Sequence, residues 1–259
     1  MRNLRFSILG SGSRGNGLVV EADGTAILVD CGFNIRETER RLARIGMTPA
    51  SLSAIVLTHE HSDHVSGAAP LARRYRIPLW ATAGTASAIT NGAGLANVEL
   101  REFSAHEPFI IGGLRLEPYP VPHDARDPSQ FVFTNGAHRL GLLTDAGHIT
   151  PHIESVLRPC DALILECNHD LDMLAEGDYP PSLKARIASP QGHLDNDTAA
   201  ALLARLDVAR LQHIVAAHLS EKNNTPWLAR SSLESALNGA ARRVEIASQE
   251  GGLGWRELV

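Results

Sequence analysis

The chain has 259 residues, 44% of them hydrophobic, with a formal net charge of −5. That length supports a large core, and αβ folds of this size often do not split, so a single domain over 1–259 is expected. The acidic balance excludes a global basic field for nucleic acid; such binding would need a local patch or bound metal. Aromatics are scarce at 5%, which limits base stacking. Three cysteines, Cys31, Cys160 and Cys167, are an odd number without Cys-x-x-Cys spacing. They form no disulfide framework and fit a reducing cytosol. The N-terminus enters a short strand instead of a signal core, and no stretch approaches the roughly 20 apolar residues of a membrane span. A soluble, cytoplasmic protein with no membrane partner is expected.

In chain order, Leu4 to Leu9 reads as a strand and Gly10 to Gly17 as a Gly/Ser-rich turn. Leu18 to Ala22 and Thr25 to Val29 form a hairpin, because Asp23-Gly24 between apolar runs favours a tight primed turn. Ile35 to Ile45 has helical periodicity closed by Gly46, with arginines outward. The apolar run Ala54 to Leu57 is a strand, and Val65 to Tyr75 a second helix. Leu79 to Ala81 is a short strand and Thr85 to Ile89 a helix. Phe109 to Val121 holds a hairpin at Gly112-Gly113, and Gln130 to Thr144 another at Asn135-Gly136. Ala162 to Cys167 is a buried-type strand, Thr198 to Leu206 a helix and His213 to Ala217 a strand. Ser231 to Leu237 is a helix and Val244 to Ala247 the last strand. Strands precede helices twice over, which suits two sheets sandwiched between helices.

Gly10-x-Gly12-x-x-Gly15 follows a strand, with Asp30 downstream, as in a dinucleotide fingerprint. That fingerprint needs a helix whose N-terminus meets the pyrophosphate. A hairpin follows here, so nicotinamide and flavin binding are excluded. Two uses remain: a plain Gly-rich turn, or a cradle for a substrate phosphate through its amides and Arg14.

The segment after Leu57 carries the chemistry. His59, His61, Asp63 and His64 fall within six residues at the end of an apolar strand. Imidazole and carboxylate are the usual donors for zinc, manganese and iron. A helical zinc-protease motif is excluded, since it needs a second His four residues after the first and that position is Asp63. Three later apolar runs each end in a further donor: His123, Asp145 and His218. Ligands at the ends of successive strands converge on one edge of a sheet.

The His-x-His-x-Asp-His order resembles the metallo-β-lactamase superfamily. Further segments are similar to its bacterial YycJ/WalJ branch: Ser11 to Asn16, His123-Asp124-Ala125-x-Asp127-Pro128, Glu166 to Asp170, Tyr179 to Ile187, Gly192-His193-Leu194-x-Asn196 and His218 to Pro226. Cys167 and Asp195 stand where that branch commonly has Ser. The resemblance implies an α/β fold, a four-layered αββα sandwich of two mixed sheets flanked by helices. It implies two divalent ions, zinc or manganese with iron possible. His59, His61 and His123 match the ligands of the first, and Asp63, His64 and His218 those of the second. Asp145 matches the bridging carboxylate, and Asp30 an acidic support of the His loop, a kind of partner that fixes imidazole tautomers.

The implied activity is a phosphodiesterase, foremost a DNA exonuclease with a metal-bridging hydroxide as nucleophile. Asp63, His193 and Glu166 are its expected catalytic residues. His193 would protonate the leaving alkoxide with Glu166 orienting it. Arg14, Lys184, Arg186 and Lys222 are candidate phosphate contacts, and His169 is either a further pocket residue or a surface histidine. DNA is expected ahead of RNA. The competing readings are a small-molecule hydrolase of a thioester, lactone or cyclic phosphate, and a non-catalytic metal-bound regulatory partner. An open set of donors argues against the latter. The short Asp145–His193 interval leaves no room for a large inserted specificity domain.

Overall fold

The first strands form an antiparallel meander: β1 (Leu4–Gly10), β2 (Gly17–Ala22) and β3 (Thr25–Val29). The structure, a computed structural model, describes residues 3–93, 95–237 and 244–259. On β3 the pairing turns parallel and adds β4 (Ala54–Val56), β5 (Leu79–Ala81) and β6 (Leu100–Glu102), while β14 (Leu253–Leu258) closes the other edge against β1. The second sheet repeats the plan. Antiparallel β7 (Phe109–Ile111), β8 (Leu114–Pro120), β9 (Ser129–Thr134) and β10 (Arg139–Leu143) precede parallel β11 (Ala162–Glu166), β12 (His213–Ala217) and β13 (Val244–Ile246). Among the described residues each sheet therefore has seven strands of mixed direction.

Period-two alternation decides the layers. Phe6, Val20, Ile27 and Val56 face Leu116, Phe131, Leu140 and Ile164 across the space between the sheets. Their chain neighbours point outward. Val19, Leu28 and Ile55 pack under α1 (Ile35–Arg44), α3 (Ala68–Tyr75) and α4 (Ala83–Ala93). Leu163, Leu165 and Ile214 pack under α5 (Pro151–Leu157), α8 (Asn196–Leu203) and α9 (Pro226–Ser235). The expected αββα sandwich of two mixed sheets is the observed one. Among the described residues no helix is long and apolar enough to cross a membrane.

Several boundaries differ from expectation. The helix expected over Val65–Tyr75 is two pieces, α2 (Ser62–Val65) and α3. Gly67 breaks it by lying against the chain after β3: its amide donates to Cys31 O at 2.8 Å, and a Cβ there would meet Phe33 O at 1.8 Å. The last helix starts at Pro226 instead of Ser231, because the Thr225 hydroxyl caps Leu228 N and Pro226 fits the first turn. Short elements without a full apolar period escaped the reading: α5, α6 (Leu171–Glu176), α7 (Pro181–Ile187), β6 and β14. The expected primed turn holds, with Asp23 and Gly24 both at positive φ.

Candidate metal centre

The donors gather where the parallel strands end. β4 leads into His59–His64, β8 into His123, β10 into Asp145, β11 into Glu166 and β12 into His218. Asp30, Asp145 and His218 each follow a strand with φ between 55° and 59°, a left-handed backbone that L residues rarely adopt. Such strain persists where surroundings over-determine it, and here it turns three side chains into one site.

The hydrogen-bond network fixes the imidazoles. Thr58 Oγ1 donates to Asp30 Oδ2 at 2.9 Å, so His59 Nδ1 donates to Thr58 Oγ1, also at 2.9 Å. His64 Nδ1 donates to Asp30 Oδ2 at 2.8 Å, His123 Nδ1 to Gly192 O at 3.1 Å and His218 Nδ1 to Glu166 Oε1 at 3.0 Å. A neutral imidazole with its proton on Nδ1 presents a bare lone pair at Nε2. Four such atoms point inward. His59 Nε2 and His123 Nε2 lie 3.0 and 3.2 Å from His61 Nδ1. His64 Nε2 lies 3.3 Å from Asp63 Oδ2 and 3.5 Å from Asp145 Oδ2. His218 Nε2 lies 3.5 Å from Asp145 Oδ1 and 3.6 Å from Asp63 Oδ2.

Acceptors that converge without hydrogens repel one another unless a cation lies between them. Two of them, Asp145 Oδ2 and His218 Nε2, are buried without any hydrogen-bond partner. The donor atoms fall into four overlapping groups, two of them His59/His61/His123 and Asp63/His64/His218 and another joining Asp145 and His218 with Glu166 and His193, with all atoms of a group within 4.8 Å of one another. Asp145 links the first two: it groups with His59 and His64, and with His218. This nitrogen-and-oxygen constellation fits divalent metal.

The electrostatics agree. Burial opposes charge on Asp63, yet the adjacent His218 and His64 imidazoles hold its carboxyl far below the usual range. Burial likewise opposes charge on Asp145, and His218 and His64 outweigh it. Burial lowers His218, but Asp145, Asp63 and Glu166 push it up to about 10, so with no cation among these groups the ring would take a second proton at Nε2, where a metal would otherwise sit. Burial among other histidines keeps His59 neutral. The centre draws positive charge.

His193 stands beside this set, with Nδ1 2.9 Å from Glu166 Oε1. The same oxygen holds His218, while Glu166 Oε2 accepts from the amides of Ala146 and Leu194 at 3.1 Å. Glu166 thus holds His193 and also His218, a second contact that sequence reasoning missed. Burial lowers His193, and Glu166 more than offsets it. A cleft of about 360 Å³ opens over Asp63, Asp145, His193 and His218.

The basic candidates divide. Arg186 lines the cleft and donates from Nε to Asp124 Oδ2 at 2.6 Å. Lys184 turns away and donates to Ala175 O at 2.7 Å. Lys222 lies 5.4 Å over the Tyr179 ring, and Arg14 pairs with Glu221 and Glu250; neither lines the cleft. His169 is neither a surface histidine nor a wall of the cleft: it is 1% exposed, with Nδ1 unpartnered.

Four amides of the glycine loop are taken up within the protein, while Ser13 lines the cleft. Gly12 N donates to Asn16 Oδ1, Arg14 N to Gln249 Oε1, Gly15 N to Gly12 O and Asn16 N to Asp63 O. The loop is a clamp. The Asn16 amide side chain also reaches Asp63 Oδ2 at 3.2 Å, and Ser11 Oγ accepts from His218 N at 2.8 Å. Sequence reasoning gave neither residue a role at the centre. Gly32 permits the approach: a Cβ there would lie 1.7 Å from Asp63 O.

Bare donors at one edge of an αββα sandwich define a metal-dependent hydrolase of the metallo-β-lactamase fold. The chain belongs to the β-lactamase superfamily: residues 25–214 match the family described as beta-lactamase superfamily domain. It is 37% identical over 235 residues to Exodeoxyribonuclease YycJ of Bacillus anthracis, covering 90% of this chain and 89% of the relative. It is 35% identical over 236 residues to Exodeoxyribonuclease WalJ of Streptococcus pneumoniae, covering 90% and 88%. Among solved structures, the metallo-beta-lactamase fold protein YhfI from Bacillus subtilis superposes with a TM-score of 0.77 at 18% identity, covering 99% of this chain and all of that one. The YycJ/WalJ resemblance read from short motifs extends over nearly the whole chain.

Proposed function

We propose that the protein is a dinuclear-metal phosphodiesterase that degrades DNA from an end, with DNA ahead of RNA, as one domain acting in the cytoplasm. The observation that carries this reading is the cleft in which a carboxylate-held histidine adjoins a cluster of bare metal donors. The two exodeoxyribonuclease relatives, aligned over nine-tenths of the chain, support the substrate class. Three buried, unpaired cysteines suit a reducing compartment.

His59, His61 and His123 would hold one ion and Asp63, His64 and His218 the other, with Asp145 shared. Zinc or manganese fits these donors, and iron is admissible. When bound, the ions supply Lewis acidity toward phosphoryl oxygens and a water activated near neutral pH. The chain does the rest. Glu166 holds the Nδ1 proton of His193 and favours the imidazolium form, whose second proton, on Nε2, would pass to the departing alkoxide and leave a neutral ring. Arg186 commits Nε to Asp124, and its remaining guanidinium donors can take a phosphoryl oxygen. Arg14 and Lys222 lie outside the cleft and would meet phosphates farther along the strand; Lys184 holds Ala175 and is the weakest of the four candidates.

The test is a turnover screen of purified, metal-defined protein. It compares end-labelled duplex DNA, single strands, RNA, bis-p-nitrophenyl phosphate and a thioester. Stepwise shortening of DNA from an end, weakening with salt, is the expected result. A salt-independent preference for a small ester or thioester would overturn it.

A further inference from the structure

α7 buries none of its side chains. One face is nonetheless apolar, with Leu183 and Ile187 one helical turn apart. A surface helix usually turns such a face to the core. Here Leu183 and Ile187 line the cleft instead, together with Tyr179 and Arg186. The segment is held in place. His193 N donates to Ile187 O at 2.9 Å, Lys184 Nζ to Ala175 O at 2.7 Å, and Lys222 lies 5.4 Å over the Tyr179 ring. The cleft thus has an ionic wall of metal donors and His193, and an apolar wall from one short segment. At about 360 Å³ it falls at the low end of the ~300–1,000 Å³ of small-ligand sites. One nucleotide suits that size; a duplex does not.

We infer that Tyr179, Leu183 and Ile187 form a base subsite, in which the terminal nucleobase of a DNA strand stacks on Tyr179 while Arg186 holds the adjoining phosphate. The inference rests on the phosphodiesterase reading and specifies how that site takes its substrate. An aromatic face beside aliphatic side chains accepts any base, since every base has a π-face. The apolar wall is continuous with the reacting centre through the His193–Ile187 hydrogen bond. A base seated there places the next phosphodiester beside His193 and the donor cluster. A subsite for one base would favour digestion from ends with little sequence preference.

The experiment uses the metal-loaded protein and two oligonucleotides, one with a normal terminal base and one with an abasic terminal sugar. Tyr179→Ala should raise KM for the normal end about 10-fold or more, with little change for the abasic end. Tyr179→Phe should restore the wild-type KM. Tyr179→Leu, which keeps bulk without the π-face, should behave like Tyr179→Ala and serves if the alanine variant folds poorly. In a slow His193→Ala background, a fluorescent purine analogue at the terminus should be quenched on binding, and the quenching should vanish when Tyr179 is replaced by Leu. Equal KM changes on normal and abasic ends, or quenching that survives Tyr179→Leu, would overturn the subsite. A wild-type protein that cleaves no DNA end defeats the nuclease reading separately; the fluorescence titration then decides alone whether a base is held.

Discussion

The two sheets share one plan but furnish the centre differently. The first supplies His59, His61, Asp63 and His64 from one loop after one strand, locked by Asp30, Thr58 and Asn16. The second supplies His123, Asp145, Glu166 and His218 singly, from the ends of four strands. A contiguous loop holds its geometry through local turns and one helix start. Single donors depend on the register of a whole sheet. The two halves should therefore fail differently when altered, even though their donors lie within a few ångströms of each other.

The largest effect is expected at Asp145, the carboxylate that groups with donors from both sheets. Asp145→Ala should abolish hydrolysis and lower metal stoichiometry while unfolding stays cooperative; Asp63→Ala should also abolish hydrolysis, with the loss of stoichiometry confined to one ion. Elemental analysis beside turnover checks this. Full activity of either variant in excess metal would rule out the two-metal mechanism. His193→Ala comes next. It should retain both ions yet lose about 10²–10⁴-fold in rate on DNA. The loss should be far smaller on a p-nitrophenyl diester, whose leaving group departs without a proton. Equal losses on both substrates would make His193 a ligand or a structural residue.

Asn16→Ala sharpens the contrast, because its direct contact with the centre is to the contiguous loop, at Asp63. Supports of this kind typically cost about 10–100-fold in metal affinity or activity. Excess metal should rescue much of that loss, whereas it cannot rescue Asp145→Ala. A Kd for metal equal to wild type would remove Asn16 from the clamp. The smallest effect is expected at Glu37, beneath the glycine loop. Hydrogen bonding to Arg40 and Arg41 outweighs burial and lowers its carboxyl from 4.5 to about 2. A depressed carboxyl stabilises the fold above its unfolded pKa, and that contribution disappears as pH falls from about 4.5 to about 2. Glu37→Gln should thus be less stable than wild type at pH 7 by under ~1 kcal/mol, with the two converging near pH 2. Denaturant titrations across that range measure it.

The same contrast explains what the sequence made legible. The loop cluster could be read directly, since its donors are neighbours in the chain. His123, Asp145 and His218 were readable because each closes an apolar run, and strand ends share an edge. Turns with Asp-Gly or Asn-Gly were readable from backbone chemistry. Asn16, Ser11 and the Gly192 carbonyl were not, for they act on residues 47, 207 and 69 positions away. No local pattern encodes such an approach. Where Lys184 points was not legible, because charge in a motif does not say where a helix points it, and α7 was too short to show a period. Glu166 was seen as a partner for His193; its second grip on His218 needed three dimensions.

The left-handed backbones at Asp30, Asp145 and His218 bear on how this protein could be engineered. An L residue in that conformation carries roughly 1–2 kcal/mol of strain, which glycine would relieve. Each glycine would also delete a metal donor or the carboxylate that holds one. Selection for heat resistance alone would then favour inactive sequences at positions 30, 145 and 218. A thermostabilised version of this hydrolase has to be sought with turnover in the screen, or with those three positions left untouched.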